Sequence, residues 1–219
     1  MVHDIPIILL SGMAADERLF ESQLAAFPNL RVQPWVPPLP GESLRQYALR
    51  LAPAVDPGRP CLVGGASFGG VVALELATHV PAIGCILIGS LRSPSGLPLR
   101  WRLLSPLAMF GPNAIKTLAG MTVRLGRSFL STGIRRWLQR LSSPNAEFER
   151  WAICAVLRWR PSRAVRKVRV FQIHGDADKV LPVRRTAAEV IVPNGEHALA
   201  MSSPSAVNAF IASVLQKLE

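Results

Sequence analysis

Six short apolar runs, separated by segments of helical periodicity, constrain this 219-residue chain more than any other feature of it. The first, Ile5 to Leu10, is continuously apolar and ends at Ser11-Gly12, the pattern of a strand buried on both faces as central parallel strands are. Leu30 to Val36 is a weaker strand, because Pro34 cannot donate to a ladder and belongs at a sheet edge. Cys61 to Gly64, Ile83 to Ile88, Val168 to Ile173 and Ala188 to Val192 complete the set. Between them, Asp16 to Phe27 carries Leu19, Phe20, Leu24 and Phe27 at helical spacing, and Ser43-Leu-Arg-Gln46 is a capping box opening a helix to about Val55. Phe68 to Val80 and the segment from Ser203-Pro204 to about Lys217 are the other helices, the last read with Ser203 as its cap. Strands alternating with helices predict an α/β fold, a mainly parallel sheet with helices on both faces.

At 49% hydrophobic the chain can build one core, whereas two independent domains would each be small. It holds no apolar run of about 18 residues, the length a spanning helix needs. MVHDIPIILL has neither a basic start nor a small-residue cleavage site, so a cytoplasmic setting is expected. Cys61, Cys85 and Cys154 form no CxxC pair, and their odd number suits buried thiols better than a disulfide framework. Charge is unevenly spread. Between Arg92 and Arg169 lie 16 of the 25 Lys and Arg residues but only two acids, Glu147 and Glu149. That segment therefore carries +14 and the remainder −3, so the middle third supplies the whole net charge of +11. No nucleic-acid-binding motif accompanies the charge, and nucleic acid is not an expected partner.

Within this frame GGASFGG, residues 64–70, stands between a strand and a helix. Gly65-Ala66-Ser67-Phe68-Gly69 is then a G-x-S-x-G turn in the strand-to-helix setting of a nucleophile elbow, which exposes the serine hydroxyl at the carboxyl end of the sheet. The small residues leave room for close chain approach, and the helix N-terminus favours negative charge developing nearby. A serine hydroxyl is a poor nucleophile unless a base and an orienting group serve it. Of His3, His79, His174 and His197, only His197 sits in a loop just past the last strand, at the same sheet edge as Ser67. His174-Gly-Asp-Ala-Asp178 follows the fifth strand at that edge and offers two carboxylates, Asp176 and Asp178.

Over essentially its whole length the chain resembles the α/β-hydrolase superfamily, through LLSGM, GGASFGG, HGDADKVLP and NGEHAL, each at a strand end. The resemblance implies a Ser67, Asp178, His197 triad. The family's G-x-x-D pattern with a following proline selects Asp178 through Gly175 and Pro182, leaving Asp176 as a turn residue that caps local amides. It further implies an oxyanion hole from the backbone amides of Met13 and Phe68, with no metal and no organic cofactor. Many relatives have His-Gly where this chain has Ser11-Gly12, and the first two family strands are absent. The six-stranded sheet is therefore expected in the order second, first, third, fourth, fifth, sixth.

Family members commonly insert a helical lid after the strand that follows the nucleophile helix. Residues 93–164 fit that place, so 1–92 and 165–219 are expected to form the hydrolase core and 93–164 a basic helical lid, broken at Pro106, Gly111-Pro112, Gly126, Gly133 and Pro144. Trp101, Trp137, Trp151 and Trp159 are expected to pack, and the arginines to form a solvated outer face. The implied function is a serine hydrolase acting on a carboxylic ester or thioester with an apolar acyl or alcohol part. Alternatives are carbon-carbon bond hydrolysis by the same triad, or a non-catalytic relative of the same fold that binds a ligand or associates with an anionic membrane. A positive lid further suggests an anionic substrate or an anionic membrane surface as partner.

Overall fold

The computed structural model describes residues 4–103, 105–125, 132–143 and 146–218. His3, Gly126 and Pro144 lie outside them, as does the side chain of Trp137. In chain order the elements are β1 (Ile7–Leu10), α1 (Glu21–Ala26), β2 (Leu30–Val32), α2 (Leu44–Val55), β3 (Cys61–Ala66), α3 (Phe68–Leu76) and β4 (Ala82–Ile88). Then follow α4 (Leu99–Arg102), α5 (Ser105–Ala108), α6 (Pro112–Leu125), α7 (Thr132–Ser142), α8 (Glu147–Arg158), β5 (Val170–Gly175), β6 (Val190–Val192), α9 (Leu199–Ser202) and α10 (Pro204–Gln216).

All six strands pair in parallel, in the order β2-β1-β3-β4-β5-β6, which is the order expected from the sequence. Side chains alternate across the sheet with the period of two that strands impose. Ile8, Leu10, Val63, Cys85 and Leu87 face a core shared with α2, α3 and α8, while Ile7, Leu9, Leu62, Ile86 and Ile88 face one shared with α10. Register aligns the carboxyl ends: Leu10 lies beside Gly65, Ala66 beside Ile88, and Gly175 beside Val192. The loops that follow β1, β3, β5 and β6 therefore open on one edge.

Several local expectations need correction. The first predicted helix divides into a 3-10 turn, Glu17–Phe20, capped by Asp16, and α1. The second strand stops at Val32; Gln33 still donates to the Leu9 carbonyl, and Pro34 ends the ladder. Ser43 and Gln46 do form the capping box of α2. Ser203 precedes Pro204 but makes no side-chain cap, its backbone having turned away from the extended geometry a cap requires. Gly133 lies inside α7 instead of breaking it, and Pro106 sits in the first turn of α5, where its missing N–H costs nothing.

In the 93–164 segment, α8 is the inner helix. Trp151, Ile153, Cys154 and Leu157 are buried in the core, and α5 and α6 pack on its other side. Trp151 donates to the Glu42 carbonyl at 2.8 Å and buried Trp159 to the carboxylate of buried Glu75 at 2.7 Å, so both tryptophans are packing residues with their N–H groups satisfied. Trp101 packs against the same core. Arg102, Arg136, Arg158, Arg160, Arg163 and Arg166 are exposed. Among the described residues Arg150 departs from an arginine outer face: it is buried, and its guanidinium donates to the Leu141 and Ser143 carbonyls at the end of α7. All three cysteines are buried free thiols; burial pushes Cys61 up to about 11 and raises Cys85 and Cys154 as well, so none is a ready thiolate.

Candidate active site

Ser67 stands at the junction of β3 and α3 with φ 51° and ψ −119°, a conformation that L side chains seldom adopt. Such a residue costs on the order of 1–3 kcal/mol and persists only where its surroundings fix it. Here its N–H donates to the Ile88 carbonyl at 3.0 Å, and its carbonyl accepts from Ser90 Oγ at 2.6 Å. The glycines around it have a steric purpose. A Cβ on Gly69 would stand 2.2 Å from the Leu10 carbonyl oxygen, so only glycine lets the first turn of α3 meet the end of β1.

The structure brings three of the sequence-selected side chains together. His197 Nε2 lies 2.9 Å from Ser67 Oγ, and His197 Nδ1 lies 2.7 Å from Asp178 Oδ2. Asp178 is buried, His197 is partly exposed and Ser67 is intermediate, so the chain of hydrogen bonds runs from the interior to an accessible hydroxyl. Asp176, two residues away, is exposed. The turn-capping expected of Asp176 falls instead to Asp178, whose Oδ1 accepts the amides of Val180 and Leu181 at 2.8 Å each. Burial pushes the Asp178 carboxyl up, but hydrogen bonds from His174, His197 and the Leu181 amide outweigh it and hold the group well below the usual carboxylate range. The two loops that carry Asp178 and His197 lock where a Cβ on Gly175 would come 2.0 Å from the Gly195 carbonyl oxygen, and where Ala177 N–H donates to that same oxygen.

On the other side of Ser67 runs the loop after β1. A Cβ built on Gly12 would lie 3.9 Å from the Ser67 Cβ, which puts the loop that continues into Met13 beside the serine. Ser11 Oγ donates to the Ala15 carbonyl at 2.8 Å, and the Gly12 carbonyl accepts from Ala15 N–H and from Trp35 Nε1 at 3.2 Å. These bonds hold the turn in a chain that lacks the histidine many relatives have there. The Phe68 amide is the first of α3, where no intrahelical acceptor exists. Around the site the rings of Trp35, Tyr47, Phe68, Phe148 and Trp151 form one tilted and edge-to-face cluster with centroids 4.5–6.3 Å apart. Trp35 and Phe148 remain partly exposed.

Sequence reasoning passed over Trp35, Ser90 and His174. His174 is completely buried; its Nε2 lies 2.6 Å from the Leu181 carbonyl and 3.2 Å from Asp178 Oδ2, so it is a second imidazole on the same carboxylate. Its signal was its place two residues before the acid pair in HGDAD. Among the described residues no cluster of His, Cys, Asp and Glu could hold a metal ion, and no helix is long and apolar enough to cross a membrane. An open cavity of about 690 Å³ lined by residues of α6 and α7, including Lys116 and Met121, contains none of the residues gathered at Ser67.

A parallel sheet in this strand order, with a strained serine between β3 and α3 and loops converging on it from β1, β5 and β6, defines a hydrolase-type α/β protein. Residues 7–210 match the Alpha/beta hydrolase family, and the chain belongs to it. No curated protein matches the chain. Among solved structures it resembles a thermophilic esterase from Thermogutta terrifontis, at 19% identity and TM-score 0.62 over 98% of this chain and 90% of that one. It also resembles ClbQ from the colibactin NRPS/PKS pathway, at 16% identity and TM-score 0.62 over 98% of both chains. An epoxide hydrolase from metagenomes of hot environments is similar at 16% identity and TM-score 0.58, over 97% of this chain and 91% of that one. One fold thus carries several chemistries, and the choice among them rests on the side chains of the site.

Proposed function

We propose that the protein is a serine hydrolase that cleaves a carboxylic ester or thioester with an apolar acyl or alcohol part. Ser67 Oγ attacks the carbonyl carbon while His197 Nε2 takes its proton, and the buried Asp178 holds the imidazole by Nδ1–H. The tetrahedral oxyanion is bound by the amides of Phe68 and Met13. Collapse expels the alcohol or thiol, which receives the proton from His197 and leaves an acyl group on Ser67. Water, deprotonated by His197, then releases the acid and restores the hydroxyl.

The observation that carries this reading is the unbroken hydrogen-bonded path Ser67–His197–Asp178 at 2.9 and 2.7 Å. A serine at the attacking position separates the proposal from epoxide opening, which in this superfamily relies on an aspartate there. The ring cluster beside Phe68 supports an apolar substrate part, and because α8 supplies Phe148 and Trp151 to it, residues 93–164 serve as the lid. A cytoplasmic setting goes with the free, buried cysteines. The test is turnover of p-nitrophenyl esters of increasing chain length by wild type and Ser67→Ala. The variant should lose turnover at every length, and wild-type kcat/KM should rise beyond acetyl. Turnover retained by the variant refutes the nucleophile, and a strict preference for acetyl refutes the apolar part.

A further inference from the structure

Half of the twelve large hydrophobic side chains that stand exposed among the described residues fall between Leu99 and Met121: Leu99, Leu103, Met109, Phe110, Leu118 and Met121. Phe110 is 79% exposed, Met109 71% and Leu103 70%, more than any other residues of that set. Single exposed apolar residues are ordinary, but a run of them is a contact surface. Met109 and Phe110 form the tip between α5 and α6, at a turn made by Gly111 with φ 82°. Their neighbours inside the molecule are α7, which packs on α6, and α8. Helix α8, beneath α5 and α6, is already buried between them and the core.

The same stretch lacks negative charge: no Asp or Glu occurs between Glu75 and Glu147, an interval that contains nine Lys and Arg. Arg102 and Lys116 are exposed on it. We propose that this outer face, α4 to α6 with Met109 and Phe110 at its tip, docks on a lipid bilayer that carries anionic headgroups. The rings and thioether enter the boundary of the acyl region while Arg102 and Lys116 stay with the phosphates, the division of labour of an interfacial amphipathic surface. A second copy of the chain matches poorly, since a two-fold contact would bring two positive faces together. A nucleic acid would match the charge but leave the apolar tip without a partner.

This proposal is independent of whether Ser67 is a nucleophile. Its test is co-sedimentation of the full chain with phosphatidylcholine vesicles, pure or mixed with phosphatidylglycerol. The chain should pellet with the mixed vesicles only, and be released as salt shortens screening from roughly 8 Å at physiological strength to about 3 Å at 1 M. Met109→Ser combined with Phe110→Ser should weaken binding by about tenfold or more, with the melting temperature little changed because both side chains are exposed. Arg102→Glu combined with Lys116→Glu should abolish the preference for anionic lipid, so the test does not depend on a single variant folding. Absence of binding, equal binding to both vesicles, or wild-type binding by the serine double variant overturns the proposal. So does a dimer in solution that the serine double variant dissociates, which would assign the face to a second copy.

Discussion

The sheet edge at Ser67 and the helices of residues 99–158 are ordered by different means. At the edge, backbone meets backbone: Gly69 against Leu10 and Gly175 against Gly195 leave no room for a single added carbon. Among the helices order comes from side chains, with Trp151, Trp159 and Arg150 each placing a polar group on a named acceptor while the outer helices present Phe110 and Met109 to solvent. A site fixed by backbone contacts holds its geometry whatever packs beside it, whereas helices fixed by side chains can change their outer face freely. α8 belongs to both regions, since its inward side completes the core and its other side carries α5 and α6.

The largest effect tests the edge. Asp178→Asn should lower kcat by about 10⁴-fold, near 5.5 kcal/mol of barrier, because an amide stabilises the wrong imidazole tautomer. Asp176→Asn, on an exposed side chain, should change kcat by less than about threefold, within ordinary surface effects. The reverse ranking would break the assignment. Next comes the double membership of α8. Trp151→Ala removes a buried ring and its hydrogen bond to Glu42 and should cost about 3–5 kcal/mol by urea unfolding. Arg102→Gln on the outer side should stay within about 0.5 kcal/mol. Equal costs would erase the distinction between inner and outer helices.

Gly69→Ala should cost about 1–3 kcal/mol, since the new methyl meets backbone that cannot swing aside. It should also lower kcat, because the atoms it displaces, the Leu10 and Ser11 carbonyls, lead into the Met13 loop. A stable, fully active variant would show the close approach to be slack. The smallest effect is in acid. Hydrogen bonds hold the Asp178 carboxyl below its ordinary range, so its ionised form stabilises the folded chain above the unfolded value near 3.9, and that contribution is lost as pH falls through the folded value. The Tm gap between wild type and Asp178→Asn should therefore narrow below about pH 4. A constant gap would remove the carboxylate's part in stability.

Legibility followed the same division. β1, β3 and β4 are apolar runs because both faces are covered, so their existence could be read directly while their order came from the family resemblance, and the glycines at their ends marked where loops converge. Ser67 and His197 were legible because each sits at a strand end, whereas the choice of Asp178 over Asp176, which share one, came from the family's G-x-x-D pattern. His174, Trp35 and Ser90 were not legible, since a polar or aromatic residue beside a strand reads the same whether it supports a site or fills a core. In the helical segment, Pro106 and Gly133 marked breaks but not their place: each is the second residue of a helix, in the first turn, where a missing N–H or side chain costs little. Nothing in the sequence separated Arg150 from the exposed arginines, because burial of a guanidinium depends on the Leu141 and Ser143 carbonyls that only folding brings to it.

The central claim is that Ser67 is an activated nucleophile. Incubation with a fluorophosphonate, followed by intact mass and peptide mapping, tests it without knowledge of the substrate, since attack by Oγ expels fluoride and leaves a phosphonylated serine. Wild type should take up a single adduct, mapped to Ser67, and Ser67→Ala none. An adduct at another residue, an adduct on the variant, or no adduct on wild type would contradict it.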